Sequence, residues 1–120
     1  MRKTLTLIAL LTACSLEHEV SRVSVPGTDL TLVVVQDEKK MFRYRVVAND
    51  ERVSEDRLFS GPCSERLPDA VVTRESGLVR ISWPVRCQGQ GLFVEFDLRR
   101  AQIRRDSNIA DAPPIIQAHR

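Results

Sequence analysis

Few side chains in this chain of 120 residues can do acid–base, nucleophilic or metal chemistry, and their spacing limits them further. The histidines are His18 and His119. His18 lies in a polar segment near the start and His119 is the penultimate residue, so neither is expected in a rigid site. A Ser-His-Asp or Cys-His arrangement needs an oriented imidazole base, and the chain offers no credible one. No His/Cys cluster has zinc-ligand spacing, and no glycine-rich phosphate loop or EF-hand loop occurs. Paired carboxylates could do the work of a glycoside hydrolase, and Glu95 and Asp97 share a strand face. Alternating charges at such positions describe a solvated strand face more simply, and Glu51, Glu55 and Asp56 read as loop charges. The chain is expected to be non-enzymatic, with no cofactor and no metal.

The first cysteine points to location rather than catalysis. Met1-Arg2-Lys3 precedes a short apolar run from Thr4 to Leu11, which leads into Leu11-Thr12-Ala13-Cys14. A positive start, an apolar middle and small residues at the cut describe a secretory signal peptide. A membrane-spanning helix needs about 20 mostly apolar residues, and the run from Leu5 to Ala13 is too short. Residues 11–14 resemble the lipobox of bacterial lipoproteins. The resemblance implies a diacylglyceryl group on the Cys14 thiol, cleavage before Cys14 and often an acylated amine. It places the protein in the bacterial cell envelope. In enteric-type lipoproteins an Asp after the cysteine favours the inner membrane, so Ser15 implies the outer membrane, facing the periplasm. More than one acyl chain is needed for stable anchoring, each buried CH₂ contributing about 0.8 kcal/mol. The expected organisation is a signal peptide over 1–13, a lipidated tether over 14–21, a β domain over 22–105 and a C-terminal tail over 106–120.

Cleavage before Cys14 removes 13 of the 120 residues and leaves 107, enough for one domain with a core. The full chain has 18 Lys+Arg against 16 Asp+Glu, but Arg2 and Lys3 leave with the signal peptide, so the mature side chains balance at 16 against 16. Nucleic-acid binding rests on excess positive charge, and no nucleic-acid partner is expected. With Cys14 carrying lipid, Cys63 and Cys87 remain as an even pair in an oxidising compartment, which predicts a disulfide. Their spacing is unlike a C-x-x-C redox motif, and no histidine lies near either one.

The rest of the chain reads as strands. Val23 and Val25 open the first, ended by Pro26-Gly27. Leu30, Leu32 and Val34 alternate with Thr31, Val33 and Val35, an apolar pattern on both faces that predicts a central strand. Phe42, Tyr44 and Val46 alternate with Arg43, Arg45 and Val47, and the polar Asp37-Glu38-Lys39-Lys40 between the two runs predicts a hairpin. Ser54 to Phe59 reads as a single helical turn. Ala70–Thr73 and Leu78–Trp83 form a second hairpin around Glu75-Ser76-Gly77. Trp83 is expected in the core, and Pro84 argues for a strand break or an edge. Leu92, Val94, Phe96 and Leu98 alternate with Phe93, Glu95, Asp97 and Arg99 in a strong strand. The fold class is therefore all-β: a small single-domain antiparallel sandwich or barrel with one disulfide.

Two features suit binding. Arg99, Arg100, Arg104 and Arg105 could grip phosphates or an acidic protein patch, since arginine recognises planar anions bidentately. Phe93, opposite Phe96, would be an exposed aromatic anchor if its face meets water. A continuing strand would put Arg99 on the face of Phe93 and turn Arg100 away, so Phe93 with Arg99 is the candidate partner-binding surface. The expected function is that of a membrane-anchored envelope lipoprotein that binds another envelope protein or supports an assembly. The alternative is a periplasmic inhibitor of a hydrolase such as lysozyme, similar in size and architecture.

Overall fold

The alternation over residues 30–48 makes the expected hairpin. In the computed structural model, which describes residues 17–87, 90–108 and 113–117, β2 (Leu30–Asp37) pairs antiparallel with β3 (Phe42–Ala48) in unbroken register from Leu30↔Ala48 to Gln36↔Phe42. The lipobox-like residues 11–14 with Cys14, His119 and the side chain of Cys87 lie outside the described residues. β1 (Glu17–Ser24) flanks β2, while β4 (Glu51–Arg52) and β5 (Arg57–Ser60) both pair with β3. The second sheet runs β6 (Val71–Glu75), β7 (Leu78–Cys87), β8 (Gln90–Asp97), β9 (Gln102–Asp106) in chain order. Both sheets are antiparallel, and no helix occurs among the described residues.

The two sheets pack on one core. Leu32, Val34, Phe42, Tyr44 and Val46 of the first sheet meet Val79, Ile81, Trp83, Val94 and Phe96 of the second, all buried. Phe59 sits between two larger rings, edge-on to Tyr44 at 5.0 Å and to Trp83 at 5.5 Å. The Trp83 indole N–H donates to Ser21 Oγ at 3.1 Å, so the buried ring keeps a polar partner. The Ser76-Gly77 turn of the second hairpin has φ of 51° and 82°, left-handed values that suit a tight hairpin turn.

β2 is buried on both faces, and the outer face has a specific cover. Outward Val33 lies between Arg22 of β1 and Arg45 of β3 in the ladder, and Val35 between Glu19 and Arg43. Long charged side chains lay their aliphatic stems along apolar surface, and both valines are only 4% exposed.

Several expectations need correcting. The tether expected over 14–21 is strand from Glu17 onward, and it carries His18 within β1. Ser54–Phe59 is not helical: burial of Phe59 between the rings draws Arg57–Ser60 onto β3 as a strand. The Ser54 hydroxyl accepts the Val46 amide at 3.0 Å, where a further ladder bond would lie. Of the tail expected over 106–120, the described residues 107, 108 and 113–117 are irregular, but some are tied to the domain. Asp106 ends β9 in the interior, Ile116 packs on the core, and Gln117 N–H donates to Val53 O at 2.8 Å. Pro84 interrupts β7 without ending it, because the pairing with β8 shifts register between Trp83 and Cys87.

Candidate functional site

β7 and β8 present one face to the core and the other outward, and the outward row sets Ser82 beside Phe93 and Arg80 beside Glu95. Phe93 is half-buried. The Arg80 guanidinium lies 3.8 Å from the centroid of its ring, and that of Arg105 lies 5.7 Å away. A cation over an aromatic face is held by the ring quadrupole, so Phe93 and Arg80 form one ordered surface feature. The backbone of Phe93 is fixed by Ser107, whose hydroxyl accepts the Phe93 N–H at 3.2 Å and whose N–H donates to Phe93 O at 3.0 Å. A hollow of about 330 Å³ lies alongside, lined by Arg80, Ser82, Pro84, Gly91, Phe93 and Ser107.

Glu95 organises the charges of this face. It is 7% exposed, and its Oε1 accepts from Arg104 Nη1 at 2.9 Å and Arg105 Nε at 2.8 Å. Burial raises its pKa, but the guanidinium hydrogen bonds of Arg105 and Arg104 outweigh that, and the carboxyl ends below its ordinary range. Glu95 therefore corrects the expectation of a solvated strand face. The bulge in β9 between its partners Glu95 and Phe96 lets the adjacent Arg104 and Arg105 both reach one carboxylate. Arg80 and Arg105 lie by Phe93 and Arg104 joins Arg105 on Glu95, so positive charge exceeds negative beside the ring, while Glu75 and Asp97 lie farther along the same face.

The predicted pairing of Phe93 with Arg99 does not form. β8 stops at Asp97, whose Oδ1 accepts the N–H groups of Arg99 at 3.0 Å and Arg100 at 3.3 Å. That side-chain turn, followed by Ala101 at φ 51°, reverses the chain into β9. Arg99 belongs to the turn and lies along Gly77, at the far end of the sheet from Phe93. Arg80 takes its place over the ring. The sequence held a signal for this, because Arg80 and Ser82 oppose Val79, Ile81 and Trp83 in the alternation. What it lacked was the register that sets β7 against β8.

A second cluster, buried between the sheets, was not legible in the sequence. Tyr44 of β3 donates its hydroxyl proton to Asp106 Oδ2, and Arg57 of β5 donates its Nε–H to the same oxygen at 2.6 Å. Asp106 Oδ1 accepts the Asn108 N–H at 3.0 Å, and Asn108 Nδ2 donates back to Leu58 O at 2.8 Å. The Asp106 side chain is fully buried and that of Arg57 is 9% exposed. Burial first, and then the bond to Asp106, raise the Tyr44 hydroxyl well above the usual tyrosine range, so it stays a donor. Both carboxylate oxygens are engaged by donors, which makes the cluster a clasp between β9 and the first sheet.

Another hollow, of about 720 Å³, lies on the outer face of the first sheet over Val33, Val35 and Val47. Its walls are charged but mutually paired. Arg45 bonds Glu17 at 2.7 Å and Asp56 at 2.8 Å, and Arg22 bonds Glu19 at 2.9 Å. The Phe93 face is the better candidate, because it combines an aromatic ring with excess positive charge beside the ring. Among the described residues, no group of three or more His, Cys, Asp or Glu side chains is placed to hold a metal ion. No protein-family model, no curated protein and no solved structure matches this chain.

Proposed function

We propose that this chain is a lipid-anchored envelope protein whose β domain binds another envelope protein without catalysing a reaction. The observation that carries the binding role is Phe93, held under the Arg80 guanidinium on the outward face of β7 and β8. Aromatic and arginine side chains dominate the energetics of protein interfaces, and a pre-ordered pair loses little freedom on binding. Two further points support a non-catalytic role: the buried Asp106 carboxylate is saturated by donors, and Glu95 is tied to two guanidinium groups.

The anchor rests on Leu11-Thr12-Ala13-Cys14. Only Ser15 and Leu16 separate Cys14 from β1, and at 3.3–3.6 Å per residue that spans at most about 11 Å. A lipidated Cys14 would hold the Glu17 end of the sandwich against the bilayer. Fatty-acid labelling that marks the wild type and is lost in Cys14→Ser is the expected result.

The Cys63–Cys87 disulfide belongs to the same reading. Cys63 is 7% exposed. The Cys63 N–H donates to Lys40 O at 3.0 Å, at the β2–β3 turn. β7 starts beside the Gly27 end of the molecule and runs toward that turn, finishing at Cys87. The bridge would close a loop of about 25 residues and stabilise the fold by roughly 3 kcal/mol. Non-reducing peptide mapping should find one linked pair.

Site-specific photo-crosslinking in intact cells tests the binding role. A crosslinker at Ser82, beside Phe93, should trap one envelope protein, and Phe93→Ala with Arg80→Ala should abolish the product while leaving the fold intact. Arg99→Ala should leave it unchanged. A product that survives the double variant moves the interface off this face.

A further inference from the structure

We infer that the free edge of β6 is a second docking site, which takes an extended segment of a partner protein as an added strand bearing an acid opposite Arg74. The inference rests on the reading that the domain binds a partner. Its basis is a contrast among strand edges. Unpaired N–H and C=O groups at a sheet edge invite another chain, and proteins blunt such edges with bulges, short strands, charges or covers. β1 carries a bulge between Glu19 and Ser21 and the charges of Glu17, Glu19 and Arg22. β4 and β5 are two and four residues long, and β5 has shifted register. β9 is bulged beside Arg104 and Arg105.

β6 has none of these devices over its first three residues. It pairs with β7 in five unbroken steps, Val71↔Ser82 to Glu75↔Leu78. All five of its residues are exposed, and among the described residues no strand pairs with its other edge. Val71 is 49% and Val72 39% exposed, two of the large hydrophobic side chains standing in solvent.

The side chains specify the occupant. In an antiparallel pair, directly opposite residues share a face and interact most strongly. Val72 and Arg74 share one face of β6, opposite Ile81 and Val79. Among the described residues, Arg74 enters no ion pair. A fitting strand therefore carries a β-branched or apolar residue opposite Val72 and a carboxylate opposite Arg74. A second copy of β6 fits poorly. Antiparallel self-pairing centred on Thr73 would set Arg74 opposite the partner's Val72 and leave both cations unmatched.

The test uses the full mature chain in detergent micelles and two capped octapeptides of alternating threonine and valine. One carries a single central glutamate and the other a lysine in its place. Amide hydrogen exchange should show protection gained at alternate β6 residues. The glutamate peptide should bind roughly three- to tenfold tighter than the lysine peptide, as expected for an opposite-charge against a like-charge cross-strand pair. Arg74→Glu, an exposed substitution, should invert that preference. The edge site is overturned if β6 gains no protection at millimolar peptide. It is equally overturned if protection appears on β1 instead, if Arg74→Glu leaves the preference unchanged, or if the protein alone dimerises through β6. Peptide failure with crosslinking at Ser82 intact overturns the edge site and leaves the Phe93 face standing. Loss of every crosslinked product overturns both.

Discussion

The two long sides of the sandwich are built on opposite principles. On one side β9 is locked to β3 and β5 by Asp106, Tyr44 and Arg57, with Asn108 bonded to Leu58 O. On the other side β6 comes close to the turn that follows β1. Arg74 Nη2 would stand 3.4 Å from a Cβ on Gly27, just past β1, and the β6 side chains remain exposed. The closed side spends buried charge to fix how the sheets meet. The open side leaves backbone and valine free. On the proposed reading, stability and docking are thus separated in space, so that a partner could dock without unfolding its host.

The largest effect expected from breaking this contrast is on the closed side. Asp106→Asn keeps the shape but removes the buried negative charge that Arg57, 9% exposed, and Tyr44 both bond. Breaking one partner of a buried ion pair costs about 3–5 kcal/mol. For a domain of this size the melting temperature should fall by roughly 12–30 °C, measured by thermal unfolding followed by circular dichroism.

An intermediate effect is expected on the outward face between the two sides. The folded Glu95 carboxyl lies below its ordinary pKa, because two guanidinium bonds outweigh burial. Its contribution is therefore fully present above the ordinary carboxylate range and is lost as pH falls through the lowered folded value. Glu95→Gln should cost about 1 kcal/mol at neutral pH, discounted because Arg104 and Arg105 are more than half exposed. Denaturant titrations across acid pH should show a shallower loss of stability in the variant than in the wild type.

The smallest effect belongs to the open side. Val71 and Val72 make little of the core, so Val71→Lys should change stability by no more than about 0.5 kcal/mol. A lysine on an edge discourages strand addition, so the same variant should lower peptide binding at β6. A large loss of stability would show that the open side carries core packing after all.

The hairpins, the buried Trp83 and the two-faced burial of β2 followed from residue alternation, because side chains on a strand repeat every two residues and apolar ones seek cover. Phe93 was legible for the same reason, as an aromatic opposite Phe96. Its companion was not. Extrapolating the strand to Arg99 ignored that Asp97 can cap a turn with its own side chain, and only the register of β7 on β8 brought Arg80 over the ring. The helical turn expected at Ser54–Phe59 failed because local propensity is weak against burial of a ring between Tyr44 and Trp83.

By itself, then, the sequence determined the class of the fold, the inward face of most strands and the lipobox-like start that suggests an anchor, since each is written in neighbouring residues. Only the tertiary structure decided the Tyr44–Arg57–Asp106 clasp, the Arg80–Phe93–Arg105 face and the open edge of β6. These depend on which strands become neighbours and in what register. Residues 62 positions apart, such as Tyr44 and Asp106, meet only after the chain has paid the entropy of folding, and no local pattern encodes that meeting.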